Sequence, residues 1–252
     1  MIQDKQIRLN HIFAGDGKTM IAALDHGIAG MSPLGHLEQP RMLLPEVVKN
    51  GADAVITTPG IARQCSDLFG RAGLILRIDG GPSALTGNWD EMEVLLTAED
   101  ALRLGADAVI MMGITGTAKE AQSLANLGRV AAVCNKWGLP LVAEMLPGGF
   151  SSKEVTIQQI QVSARLAAEL GADIVKIKYQ GPAEGFKAVT CSSYIPVVIL
   201  GGSKQSPDQL IGEVKQALEA GARGVAVGRN IWQADHAGEM AALLAGVIHA
   251  DE

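Results

Sequence analysis

The sequence predicts an α/β fold, a (β/α)8 barrel, from three observations: a signature repeated four times, four further apolar runs between its copies, and helical periodicity in the gaps. The copies are Gly51-Ala-Asp-Ala-Val, Gly105-Ala-Asp-Ala-Val, Gly171-Ala-Asp-Ile-Val and Gly221-Ala-Arg-Gly-Val. Each follows a helical pattern, so its glycine suits a helix C-cap and its apolar residues open a strand. The spacing of the copies leaves room for two βα units per interval, and eight strands alternating with helices are the signature of parallel βαβ units. No Gly/Ser/Pro-rich linker divides the 252 residues, so one barrel domain over 1–252 is expected. An open doubly wound sheet is the competing topology, but no GxGxxG follows the first strand.

Taken in order, the first strand spans residues 19–25 and ends on Asp25-His26-Gly27. A loop over 31–40, long enough to act as a lid, leads to a helix over 41–50. The second strand ends at Thr57-Thr58-Pro59, and the third, over 73–79, ends on Asp79-Gly80-Gly81. A helix over 98–104 precedes the fourth strand, which ends near Gly113, and a helix over 118–137 precedes the fifth, over 140–145. A helix over 156–170 leads to the sixth strand, which begins in the third repeat. The sixth helix is expected after Lys178, through Phe186 and Ala188, followed by a seventh strand over 196–201. Ser206 is a good N-cap with Pro207 at the first helical position of a helix over 207–220. The eighth strand ends on Gly228-Arg229-Asn230, and apolar residues at helical spacing close the chain over 237–248.

Composition bounds the function. Aromatics are only 4% against 48% hydrophobic residues, so packing rests on Ala, Val, Ile and Leu, as in layered α/β folds. A formal charge of -6 and the lack of any Lys/Arg run argue against a nucleic-acid surface. Cys65, Cys134 and Cys191 are isolated and without metal-type spacing, which suits reduced thiols in the cytoplasm. The start of the chain is too polar for a signal peptide, and no apolar run approaches membrane-spanning length. His11, His236 and His249 fall outside the strand ends and read as surface groups, and the nine methionines as core filling, with substrate contact by Met111-Met112 at the end of strand four as the alternative for that pair.

Active sites of such barrels lie at the C-terminal ends of the strands. There the sequence sets three carboxylates, Asp25, Asp79 and Glu144, and two lysines, Lys176 and Lys178. Burying an ammonium is costly unless it is paired or neutral, and a neutral lysine is what imine chemistry on a carbonyl requires. Lys176 and Lys178 share strand parity, so parity does not choose between them, and if both face inward each opposes the other's charge. Ala23 beneath Asp25 leaves room for a substrate or a neighbouring side chain. Arg77 and Asp79 also share parity, either as a functional pair or as an ion pair closing the barrel floor. Gly201-Gly202-Ser203 after strand seven and Gly228-Arg229-Asn230 after strand eight suit a phosphate: glycines let backbone N–H groups approach, a short helix adds its positive end, and Arg229 adds charge-assisted bonds.

Leu24-Asp25-His26-Gly27, the segment from Ala172 to Tyr179, Gly201-Gly202-Ser203 and the segment from Val227 to Gln233 together resemble the archaeal-type class I fructose-bisphosphate aldolase family. Its relatives include the aminodideoxyheptulosonate synthases and the autoinducer-2 phosphate aldolases and thiolases. The resemblance covers nearly the whole chain. It implies a Schiff-base lysine at Lys176, which two residues separate from Tyr179, an acid at Asp25, phosphate contacts at Gly202, Ser203, Gly228 and Arg229, and a phosphorylated ketose or ketose-like substrate. Where the family carries a proton-transferring tyrosine, this chain has Leu146, and Gly148 replaces an arginine. Leucine transfers no proton, so Glu144 is the expected substitute, with Asp25 and His26 as alternatives. The expected function is a class I aldolase with no metal or other cofactor, a phosphorylated keto compound as its partner, and a homo-oligomeric state. The other readings are a transaldolase or thiolase of the same family, a metal-free phosphosugar isomerase or epimerase, and a non-catalytic sugar-phosphate sensor.

Overall fold

The computed structural model describes residues 5–86, 91–150, 152 and 154–250. Eight parallel strands close a barrel in chain order: β1 (Thr19–Ala23), β2 (Ala54–Thr57), β3 (Gly73–Arg77), β4 (Ala108–Thr115), β5 (Leu141–Pro147), β6 (Ile174–Lys178), β7 (Val197–Leu200) and β8 (Gly224–Val227). The ring closes where Thr19 pairs with Gly224. The strands are Ala-, Val-, Ile- and Leu-rich because both of their faces are buried. Inward residues such as Ile21, Ile75, Ile110, Val142, Ile174 and Val198 fill the barrel, and Leu9, Ile12 and Phe13 from the N-terminal segment pack against the same cluster. Outward residues pack under a ring of amphipathic helices.

Predicted helix bounds agree with the structure to within about two residues, the scatter expected at helix ends. The expected helices become Pro40–Lys49, Ala98–Arg103, Glu120–Lys136, Ile157–Glu169, Ala183–Ser192, Pro207–Glu219 and Ala237–Ile248. Thr97, Thr156 and Ser206 cap their helices with full capping boxes. The short elements that went unpredicted are the helices Gln6–Leu9 and Pro59–Gln64, the 3-10 turns His26–Ala29 and Gly35–Glu38, and an antiparallel ribbon pairing Asp79–Gly80 with Glu93–Val94, while Arg229–Trp232 is the short helix expected after the eighth strand. Each is too short to show a hydrophobic period. No helix among the described residues is long and apolar enough to cross a membrane.

The repeat has a structural meaning. Gly51, Gly105, Gly171 and Gly221 adopt left-handed φ between 78° and 102°, ending their helices. The following alanine N–H bonds the carbonyl five residues back, at 2.9–3.1 Å, as in a Schellman cap. The aspartate then ties its strand to the preceding one. The carboxylates of Asp53, Asp107 and Asp173 accept from the N–H of Met20, Leu74 and Leu141 at 2.7, 2.9 and 2.8 Å. Their own N–H groups donate to the carbonyls of those same residues. Each of these aspartates also has a cation-forming partner: His249, His11 and Lys5 respectively. Arg223 fills the fourth position and keeps only the main-chain tie, to Val197.

Candidate active site

The C-terminal layer of the barrel interior is ionic. Arg77, the last residue of β3, is 2% exposed and reaches three carboxylates from three directions. Its Nε donates to Asp25 Oδ2 at 2.7 Å, Nη1 to Asp79 Oδ1 at 3.0 Å, and Nη2 to Glu144 Oε2. Glu144 Oε1 lies 2.7 Å from Lys176 Nζ. The sheet register places these groups side by side, with Glu144 opposite Met112 on one flank and opposite Lys176 on the other. Leu24 N–H still bonds Ile56 O, so β1 holds its direction for one more residue and Asp25 follows Ala23 inward. Arg77 and Asp79 therefore do not close the barrel floor, which is apolar; they belong to the network beneath the cavity.

That network sets the protonation states. Burial presses Asp25 and Glu144 towards the neutral acid, but Arg77 and Lys176 outweigh it and hold both carboxyls below their ordinary values. Burial wins at Asp79, whose carboxyl rises despite Arg77, and the Arg77 guanidinium is held firmly charged by its three partners. Burial, assisted by the charges of Lys176 and Arg229, lowers His26 in spite of Asp25, so its imidazole is neutral near pH 7. His26 Nδ1 lies 3.5 Å from Asp25 Oδ1, and its ring meets Trp232 edge-on at 5.2 Å.

Above the network opens a cavity of about 380 Å³. Asp25, His26, Arg77, Glu144 and Lys176 line it, together with Gly201, Gly202, Gly228 and Arg229. Its remaining wall is apolar, and includes Ile28, Met31, Met92, Met112, Leu146 and Phe150. Gly228 sits where no side chain fits: a Cβ there would stand 2.3 Å from His26 Cε1 and 2.9 Å from Ala23 O. Arg229 is half-buried, and its Nε is buried without a hydrogen-bond partner, a donor suited to an anion in the cavity. The 31–40 segment is anchored by a bond between His36 Nε2 and Ala234 O at 3.0 Å and contributes Met31 to the wall. Among the described residues no group of three or more His, Cys, Asp and Glu side chains is placed to hold a metal ion.

The structure thus brings together Lys176, Asp25, Glu144, His26 and most of the expected phosphate loop. It leaves out two residues. Lys178 shares inward parity but stands at the rim, exposed, and does not line the cavity. Mutual opposition of two inward lysines therefore does not arise; Glu144 is the group beside Lys176. Ser203 is also exposed and outside the lining, with its carbonyl turned to Asn230. Tyr179, the residue that marks Lys176 in the motif, faces the helix layer, where it donates to Gln216 and packs on Phe186. Sequence reasoning missed the reach of Arg77 to three carboxylates and the hydrogen bonds of Asn230 to the carbonyls of Gly201 and Ser203.

A family model described as DeoC/LacD family aldolase matches residues 19–234. The chain is 34% identical over 248 residues to 2-amino-3,7-dideoxy-D-threo-hept-6-ulosonate synthase 1 of Archaeoglobus fulgidus, covering 98% of this chain and 92% of that protein. It is 31% identical to the 2-amino-4,5-dihydroxy-6-oxo-7-(phosphonooxy)heptanoate synthase of Streptomyces griseus, across 97% of this chain and 90% of that one. Among solved structures, an archaeal fructose-1,6-bisphosphate aldolase with its catalytic lysine covalently bound to the carbinolamine intermediate of its substrate matches with a TM-score of 0.87 at 33% identity, over 97% of this chain and 99% of that one.

Proposed function

The chain belongs to the DeoC/LacD aldolase family, and from that premise we propose a class I aldolase of a phosphorylated keto substrate whose imine forms on Lys176. The observation that carries the residue assignment is the contact of Lys176 Nζ with Glu144 Oε1 at 2.7 Å, in a cavity that Arg229 and the two glycine loops also line. Lys176 is buried to 4% exposure, it has a carboxylate to take its proton, and Lys178 has neither property.

The chemistry follows from these positions. Lys176 passes a proton to Glu144 and attacks the substrate carbonyl carbon, giving a carbinolamine. Glu144, now protonated, returns that proton to the departing oxygen, which leaves as water, and the nitrogen keeps its positive charge as an iminium. That iminium accepts the electron pair of the breaking C–C bond, while the hydroxyl on the adjacent fragment loses its proton to a carboxylate and becomes a carbonyl. Protonation of the resulting enamine and hydrolysis restore Lys176. Leu146 takes no part in proton transfer and shapes the apolar wall. Arg77 touches no reacting atom in this scheme; it positions Asp25 and Glu144 and lowers their pKa in the resting site, so that each starts the cycle as a carboxylate.

Borohydride reduction with a panel of phosphorylated ketoses, read by peptide mass spectrometry, tests the assignment. The adduct should sit on Lys176 and vanish in Lys176→Ala. Trapping that persists in Lys176→Ala and disappears in Lys178→Ala would overturn it. An isomerase using carboxylates alone would be untouched by borohydride.

A further inference from the structure

We infer that Asn230 is a positioning residue that preforms the phosphate cradle by fastening the loop after β7 to the first turn after β8; the inference rests on the phosphate-site reading above. Asn230 is 3% exposed within the short helix Arg229–Trp232. Its Nδ2 donates to Gly201 O at 2.7 Å and to Ser203 O at 3.0 Å, and its Oδ1 accepts from Gln205 N at 2.8 Å. A carboxamide offers two donors and one acceptor oxygen, and here all of these functions go to one loop. The chain neighbour of Asn230 is Arg229, which lines the cavity, and Gly201 and Gly202 line it from the loop. One buried side chain therefore fixes the loop and the cation relative to each other.

The bonds also orient the loop. In a planar trans peptide unit the carbonyl of one residue and the N–H of the next point in opposite directions. Capture of Gly201 O by Asn230 turns Gly202 N–H away from the helix, and capture of Ser203 O does the same for Lys204 N–H. Carbonyl oxygens, which would repel a phosphate, are drawn off, and N–H groups, which would bind it, are set free of Asn230. A second tie, Lys204 Nζ to Gln233 O at 2.5 Å, joins the same loop to the end of the same short helix. Without Asn230 the loop would have to be ordered by the phosphate itself, at an entropic cost to binding.

The test uses two ketones that differ only by a phosphate, dihydroxyacetone phosphate and dihydroxyacetone. The quantity is the ratio of their efficiencies of borohydride trapping on the full-length enzyme. Loss of the ties in Asn230→Ala should lower this ratio about tenfold, and Asn230→Thr, of nearly equal volume, should lower it in the same direction should the smaller residue unfold the barrel. Arg229→Ala should also lower it. A merely structural role would reduce trapping of both ketones in parallel and leave the ratio at its wild-type value, which overturns the inference. A fall in Arg229→Ala without one in either Asn230 variant overturns it too, with the phosphate site intact. A wild-type ratio near one, a ratio unmoved by Arg229→Ala, or no trapping of either ketone overturns the phosphate-site reading and this inference with it.

Discussion

At the scale of single residues, Arg77 governs the site's electrostatics. It is buried against Asp25, Asp79 and Glu144, and replacing one partner of a buried ionic cluster leaves uncompensated charge in a medium that solvates it poorly. Arg77→Met should cost about 3–5 kcal/mol in chemical denaturation near neutral pH. The sign of the pH dependence follows from the shifts. Asp25 and Glu144 have lowered pKa values in the folded protein, so their contribution is present above the unfolded carboxylate range and lost as pH falls through the folded values. Removing Arg77 removes much of that contribution, so the difference from wild type should be largest at neutral pH and shrink in acid. A difference that grows towards acid would contradict the network.

At the scale of elements, the Gly-Ala-Asp repeat is a unit of barrel closure, one step away from the chemistry. It lies at the N-terminal ends of the strands, the end of such a barrel that serves stability rather than chemistry. It was legible because every copy sets a left-handed cap and a small residue in sequence, and three of the four add a carboxylate that takes the N–H of the preceding strand. Asp107→Ala removes the acceptor of Leu74 N–H and the partner of His11. The change should destabilise the protein by about 1–3 kcal/mol in urea titration. Arg223→Ala should cost less, because Arg223 acts on β7 through its main chain alone. Equal losses in the two variants would mean that the carboxylate bonds add nothing.

At the scale of the whole molecule, His249 joins the end of the chain to its beginning. It follows the last helix and contacts Asp16 before β1 at 2.8 Å and Asp53 at the start of β2 at 3.0 Å, so it is a structural link where a surface group was expected. Burial opposes its charged form, but the hydrogen bond with Asp16 and the charge of Asp53 outweigh burial and raise its pKa. A raised folded value means that the stabilisation is complete below about pH 6.5, the ordinary histidine value, and is lost as pH rises through the folded value. The shift of the urea midpoint between wild type and His249→Phe should accordingly be larger at pH 6 than at pH 9. An equal shift at both would exclude the ion-paired histidine.

Strand count, helix positions, the C-terminal rim of the barrel and the glycine loops were all legible in the linear chain. Each depends on local periodicity, capping chemistry or alternation along one strand, and these are written in neighbouring residues. The choice between Lys176 and Lys178 was not legible from parity. It depends on how far each stands along β6 relative to the rim and on whether Glu144, from the adjacent strand, lies beside it. Likewise Arg77 shows only Asp79 within its own segment; Asp25 and Glu144 come from other strands. Asn230 looks like one more residue of a glycine-rich motif until the loop after β7 folds over it. Neighbouring residues were enough to specify a barrel and the rim at which the proposed chemistry is placed. Which lysine is buried against a carboxylate, and which strands and loops Asn230 and Arg77 bridge, came from the folded chain, because those properties belong to contacts between segments that are far apart in sequence.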